Sequence, residues 1–293
     1  MDRIVYGFFY VVSLLPLRLL YLFSDLAYFI IYHIVGYRKD IVAQNLLIAF
    51  PEKTNAERKA IAKQFYKNFC DSFIETLKAF SADKDYILKH FNGDYSIFDE
   101  LKAMGHQKIQ LHSGHFFNWE WANLSTPIQL PYLFLSVYMP INNTLFDKIF
   151  IRLRSKTGAA LADARNLRTQ VIPYRHTPHV IALIADQNPA EPTRGLWVNF
   201  FTKPAPFLKA PESGARRGNI PVVFTHFTKK KRGYYTIHFT LANETPINTK
   251  QGELTVQYAR YLEEAIREQP ANWLWSHRRW KMEWRPEYGD ILS

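Results

Sequence analysis

The sequence predicts an α/β protein in which a mainly parallel central sheet is flanked by helices, with a membrane-anchoring helix at the N-terminus. From residue 54 onward, short apolar runs alternate with helical segments, the pattern of a parallel sheet covered on both faces. No repeat or low-complexity linker interrupts that stretch. Residues 4–23 form an apolar run broken only by Pro16 and Arg18, long enough to span a bilayer.

A second apolar stretch, 26–35, follows Ser24-Asp25. No small-residue cleavage site comes after it, which argues against a secretory signal peptide. Arg38 and Lys39 follow the apolar block, against Asp2 and Arg3 before it, so the charge bias places the bulk of the chain on the cytoplasmic side. The alternative is a pair of buried or interfacial helices that never cross. The expected division is an anchor at 1–37 and one globular domain at 38–293.

Within that domain, Thr54 and Glu57 form a capping-box signature opening a helix to about residue 80, with Ile61, Phe65, Phe69, Phe73 and Leu77 as an apolar stripe. Strands are expected over 108–112, 133–138, 180–186, 220–227 and 234–241, and helices over 143–157, 208–217 and 254–268. Thr228-Lys-Lys-Lys-Arg-Gly233 reads as a tight turn, which makes the last two strands antiparallel. Its cations suit a solvated tip, or a dock for an acidic carrier or anionic lipid.

Composition narrows the function. Among 293 residues, Cys70 is the single cysteine, so internal disulfides and cysteine-rich metal sites are excluded. Thirty-seven Lys and Arg against 26 Asp and Glu give a net charge of +11, which favours an anionic partner. Aromatic residues at 16% tilt that choice toward a membrane interface, and no recognised nucleic-acid-binding motif is present. A mean hydropathy of −0.23 argues against many spans. Trp273, Trp275, Trp280 and Trp284 crowd a segment with Arg278, Arg279 and Lys281, which suits either a headgroup-level surface or a core packed by cation–π contacts.

The chemistry concentrates in Leu111-His-Ser-Gly-His-Phe-Phe-Asn-Trp-Glu-Trp121. A strand ends near His112, Gly114 permits a sharp turn, and a helix follows from about residue 116. His115 therefore stands at the carboxyl edge of the sheet, where open α/β sheets bind ligands. With His115 on the turn and Glu120 in the helix, the two side chains can meet as base and orienting carboxylate. A metal site from His112, His115 and Glu120 matches no common zinc spacing, and Ser113 lacks the elbow motif of serine hydrolases. Asp186 closes a buried-looking strand at the same edge, and Gln187 extends that wall.

His115-Phe-Phe-Asn-Trp-Glu120 resembles the His-x4-Asp/Glu motif of glycerolipid acyltransferases, and in its detail the late acyltransferases of lipid A synthesis in Gram-negative inner membranes. The resemblance continues through Asn45-Leu-Leu-Ile-Ala-Phe-Pro-Glu-Lys53, then Tyr138, Pro140, Asn143 and Arg152, then Ala185-Asp-Gln187, and finally Trp275-Ser-His-Arg-Arg-Trp-Lys281, in collinear order. One departure is Asn199-Phe-Phe-Thr202, where that family usually has a phenylalanine-glycine turn.

The resemblance implies transfer of a fatty acyl chain from an acyl carrier protein thioester, or acyl-CoA, to a hydroxyl of a lipid A precursor, beside membrane phospholipid. It implies no cofactor or metal. His115 would be the base and Glu120 its orienter, with oxyanion donors among the backbone N–H groups at the start of the following helix. Asn118 would orient the turn or touch the acceptor, Arg152 would contact a phosphate of the carrier arm or of the acceptor, and Asp186 and Gln187 would line the site. A hydrolase using the same pair, or an acyltransferase for another aminolipid or glycolipid, are the competing readings.

Overall fold

The computed structural model describes residues 2–293. The N-terminal apolar run is two helices, α1 (Asp2–Ser13) and α2 (Leu17–Tyr28), and α2 continues as a π-helical segment, Phe29–Val35. The run over 4–23 divides at Pro16, which lacks the N–H that would continue α1 and instead starts α2. The stretch long and apolar enough to cross a membrane is Leu17–Val35, 19 residues with 22% of its apolar window buried. It ends at Gly36, whose φ of +66° is a left-handed conformation that glycine adopts freely.

Next come α3 (Lys39–Ala49) and α4 (Asn55–Lys78). The Thr54 hydroxyl and the Glu57 carboxylate form the reciprocal capping box read from the sequence. The expected stripe on α4 is only partly inward. Phe65 is buried, Ile61, Phe69 and Leu77 are half-buried, and Phe73 is 60% exposed. The inward face instead carries Asn68, Asp71, Ser72 and Glu75, all buried. Asp71 and Glu75 bind α2 directly, through Ser24 Oγ at 2.7 Å and Tyr21 Oη at 2.8 Å.

The remaining elements are α5 (Lys84–His90), β1 (Phe91–Gly93), α6 (Ser96–Ala103), β2 (Lys108–Ser113), α7 (Trp119–Gln129), β3 (Leu133–Tyr138), α8 (Thr144–Arg154), β4 (Ala160–Asp163), α9 (Leu167–Gln170), β5 (His179–Ile184), β6 (Gly195–Phe200), β7 (Lys203–Leu208), α10 (Lys209–Gly218), β8 (Val222–Lys231), β9 (Tyr234–Asn243), α11 (Glu253–Glu268) and β10 (Ile291–Leu292). Among the described residues, seven strands form one sheet in the order β1-β9-β8-β2-β5-β3-β4, parallel except for the β8–β9 hairpin. The five expected strands are all in it. β1 and β4, of three and four residues, are too short to leave a readable pattern. The separate sheet β10-β6-β7 was also unforeseen, since Pro204 and Pro206 in β7 read as strand breakers.

The C-terminal tryptophans settle into the core: Trp273, Trp275 and Trp280 are buried, and the fully buried Arg279 lies 4.2 Å over the Phe207 ring. The expected cationic turn is mostly the end of strand β8, with Lys229 half-buried and Lys230 and Lys231 exposed. Lys229 pairs with Asp71 at 3.0 Å, and Arg232 joins Asp71 at 2.7 Å and Asp25 at 2.6 Å. That clasp holds the hairpin to both α4 and α2, so two of its four cations are committed to the fold.

Candidate active site

Strand register builds the site. β2 and β5 are parallel neighbours with Ser113 opposite Ile184, and Ala185 N–H donates to Ser113 O at 2.9 Å. His115 and Asp186 each lie two residues beyond those ends, so continuing the register brings them side by side. The Asp186 carboxylate accepts the His115 backbone N–H at 2.7 Å and contacts His115 Nδ1 at 2.5 Å. Trp273 Nε1–H donates to the same carboxylate at 2.7 Å. Asp186 is buried, while the His115 side chain keeps 19% of its surface exposed. One nitrogen is therefore fixed inside and the other faces outward.

Gly114 makes this approach possible. A Cβ there would lie 2.8 Å from Leu262 Cδ1 and 3.1 Å from Asp186 Oδ2. A side chain there would crowd both Leu262 and the Asp186 carboxylate. The turn is held from outside as well, with Tyr258 Oη–H donating to Ser113 O at 2.6 Å and Leu274 N–H to His115 O at 3.1 Å.

Burial alone would push the Asp186 carboxyl up. The charge of His115 and the donors from His115 and Trp273 more than offset it, so Asp186 lies below the usual carboxylate range. An ionised Asp186 holds Nδ1 protonated, which leaves Nε2 as the proton acceptor. Gln187 Nε2 lies 3.1 Å from His115 Nε2, so its amide covers the lone pair that would receive a proton.

Glu120, expected as the orienter, lies elsewhere. In the first turn of α7 its two oxygens accept Arg154 Nε and Nη2 at 2.9 and 2.5 Å, with the side chains 7% and 17% exposed. Arg154 ends α8, so the pair locks α8 onto α7 just below the histidine turn. Asn118 is the N-cap of α7, accepting Trp121 N–H at 3.3 Å, and its amide donates to the buried Glu75 at 3.0 Å. The backbone donors expected at 116 and 117 are spent on Gly114 O and Asn272 O.

Arg152 is exposed on α8, its guanidinium 3.8 Å over the Tyr6 ring of α1. It borders a cleft of about 790 Å³ lined also by Arg3, Tyr6, Tyr10, Phe80 and Lys156. The site residues therefore separate into four groups: His115 with Asp186 and Gln187, Glu120 with Arg154, Asn118 with Glu75, and Arg152 in the cleft. Arg154 and Glu75 escaped the sequence reading, and Trp273 was read there only as one of a tryptophan-rich segment. For Arg154 a signal existed, since it is two residues from Arg152 and so on another face of the same helix.

With this geometry in view, comparison with known families is decisive. Residues 1–282 match the model of the bacterial lipid A biosynthesis acyltransferases. The chain belongs to this family. No curated protein matches the chain significantly. As a member of that family, the protein is an acyltransferase that acts on lipid A.

One buried and two half-buried histidines are expected to make the fold acid-sensitive. Burial lowers His112 to about 3, His226 to about 4 and His277 to about 4, from 6.5. Each is neutral when folded and takes up a proton on unfolding once the pH is below about 6.5, so the unfolded state binds more protons there. Their stabilisation is complete above pH 6.5 and is lost progressively as the pH falls toward 4. The melting temperature is expected to hold from pH 8 to 7 and to fall between 6.5 and 4. An unchanged melting temperature across that lower window would contradict burial of the neutral rings.

Proposed function

We propose that the protein transfers a fatty acyl chain from an acyl carrier protein thioester to a hydroxyl of a lipid A precursor, with His115 as general base and Asp186 as the carboxylate that orients it. The observation that carries this is the Asp186–His115 contact, made by a carboxylate that also receives the His115 backbone N–H and the Trp273 indole. The acceptor hydroxyl displaces the Gln187 amide from His115 Nε2 and gives up its proton there as its oxygen attacks the thioester carbonyl. Asp186 stabilises the imidazolium. The tetrahedral intermediate collapses, the C–S bond breaks, and the departing sulfur takes the proton from Nε2. The displaced Gln187 amide is a donor for the developing oxyanion.

Residues 1–37 serve as the anchor of the catalytic domain at 38–293. The outer face of α2 presents Leu19, Leu22, Phe23 and Leu26, each about half exposed or more, which suits phospholipid. The charge bias at Arg38 and Lys39 supports an inner-membrane enzyme whose catalytic domain is cytoplasmic.

The cleft at Arg152 suits a phosphate of the acceptor, since Arg3, Arg152 and Lys156 border it against one carboxylate, Asp83. Arg152→Ala is expected to raise the acceptor KM by about ten-fold or more, the worth of a charge-assisted contact, with partial rescue by lysine. Kinetics with donor and acceptor varied separately check this, and two unchanged KM values would remove Arg152 from the site.

The test of the overall reaction incubates the protein with a lipid A precursor and either a carrier-protein or a CoA thioester, and separates the products. A new ester on the lipid, formed faster from the carrier-protein thioester, is the expected result. Equal release of free fatty acid with and without acceptor would make the protein a hydrolase. A preference for the CoA thioester would overturn the donor assignment alone.

A further inference from the structure

Glu75 is fully buried in the last turn of α4 and is not used by the reaction steps above. Its carboxylate collects donors from three separate elements: Tyr21 Oη of α2 at 2.8 Å, Tyr235 Oη of β9 at 2.7 Å, and Asn118 Nδ2, the N-cap of α7, at 3.0 Å. Its own backbone carbonyl accepts Trp121 Nε1 at 2.6 Å. A buried carboxylate is costly unless its lone pairs are filled, and here every partner donates. Two of the four bonds go to residues 118 and 121, which begin the helix after the histidine turn, and one goes to the helix whose outer face is apolar.

We propose that Glu75 is a positioning residue for the transfer reaction, fixing the histidine turn through Asn118 and tying it through Tyr21 to the N-terminal apolar helix. This rests on the assignment of His115 as base. The segment 116–117 is held by the C-terminal strand-like stretch, through the Phe116–Trp273 bridge and the reciprocal bonds of Phe117 with Asn272, whereas the Trp121 N–H goes to Asn118 itself, so the start of α7 depends on that cap. Losing the Asn118–Glu75 bond frees the cap that starts α7, and with it the approach of His115 to its substrate. Losing Tyr21 leaves the Glu75 oxygen that it fills without its partner and loosens the same carboxylate. Burial raises the Glu75 carboxyl, opposed by the Lys229 charge and by the Tyr235 and Tyr21 hydroxyls. Its donors therefore help to keep it an acceptor.

The test uses the full chain carrying Tyr21→Phe or Glu75→Gln. It is read by amide hydrogen exchange over residues 113–121 and by steady-state kinetics with a thioester donor and vesicle-borne lipid A precursor. Tyr21→Phe is expected to speed exchange in 113–121 by about ten-fold, with β7 unchanged, and to lower kcat by about ten-fold at nearly constant KM, the effect of one buried hydrogen bond. In the Glu75→Gln background, Tyr21→Phe should add little, because the shared acceptor has already been altered. Unchanged exchange in 113–121 with unchanged kcat would overturn the proposal, as would faster exchange spread over the whole chain with kcat intact. Exchange reports the tie whether or not acyl transfer occurs. A wild-type protein that forms no acylated lipid, yet shows the local exchange change, would therefore fail the catalytic reading and leave the mechanical role of Glu75 standing.

Discussion

Replacing Asp186 by asparagine should lower turnover by roughly 10³–10⁴-fold while leaving the fold in place. The carboxylate determines which imidazole nitrogen carries the proton. With Asp186 ionised and 2.5 Å from Nδ1, that nitrogen is the donor and Nε2 is basic. An asparagine amide in the same place can present N–H toward Nδ1, and the imidazole then answers with the other tautomer, its proton on Nε2. The base is blocked without being removed. His115→Ala removes it outright and should lower turnover by roughly 10²–10⁴-fold. The double variant should be no worse than the more damaged single one, because the two residues act as a unit. Rates of acyl-lipid formation by the four proteins settle this, and an Asp186→Asn protein within a few-fold of wild type would exclude Asp186 as the orienting group.

Arg154→Ala should cost about 3–5 kcal/mol of stability, the usual penalty for stripping a buried ion of its partner. Glu120 would keep its carboxylate, 7% exposed, with neither of its two short contacts. Substituting both partners by apolar groups of similar size, Arg154→Met with Glu120→Leu, should restore most of that loss, since a buried ion pair itself contributes little net stability. Denaturant unfolding of the single and double variants measures both quantities. A single variant within 1 kcal/mol of wild type would show that the α7–α8 lock carries no weight. Glu120→Gln should then damage stability more than it alters the pH dependence of turnover, the reverse of what an orienting carboxylate would give.

His115 and Glu120 stand in one short segment and were both legible in the sequence, but their partners were not. A spacing of five across a turn-to-helix junction permits contact without requiring it, and Arg154, arriving from α8, offered Glu120 a charged and bidentate alternative. Asp186 was placed at the carboxyl edge of its strand by the apolar run before it. Its closeness to His115 follows only from strand order, because β5 lies next to β2 in space although β3 and β4 intervene in sequence. Local pattern gives strand identity, and pairing is a long-range property. The same limit explains α4, whose spacing-four apolar residues read as its inward stripe. Asp71 and Glu75 take that face because Ser24, Tyr21, Lys229, Arg232 and Tyr235, all distant in sequence, bring partners that make a buried acid tolerable. The apolar N-terminus was plain from composition, and Pro16 was visible within it. What composition did not convey is that α2 lies against α4 with polar contacts on its inner side.

The most direct measurement is mass spectrometry of the lipid product from purified wild-type and His115→Ala proteins, each given a lipid A precursor and a carrier-protein thioester. The expected result is one added acyl ester on the lipid with wild type and almost none with a His115→Ala protein that melts as wild type does. Comparable acyl-lipid formation by the two proteins, or release of free fatty acid alone by wild type, would contradict base-catalysed acyl transfer at His115.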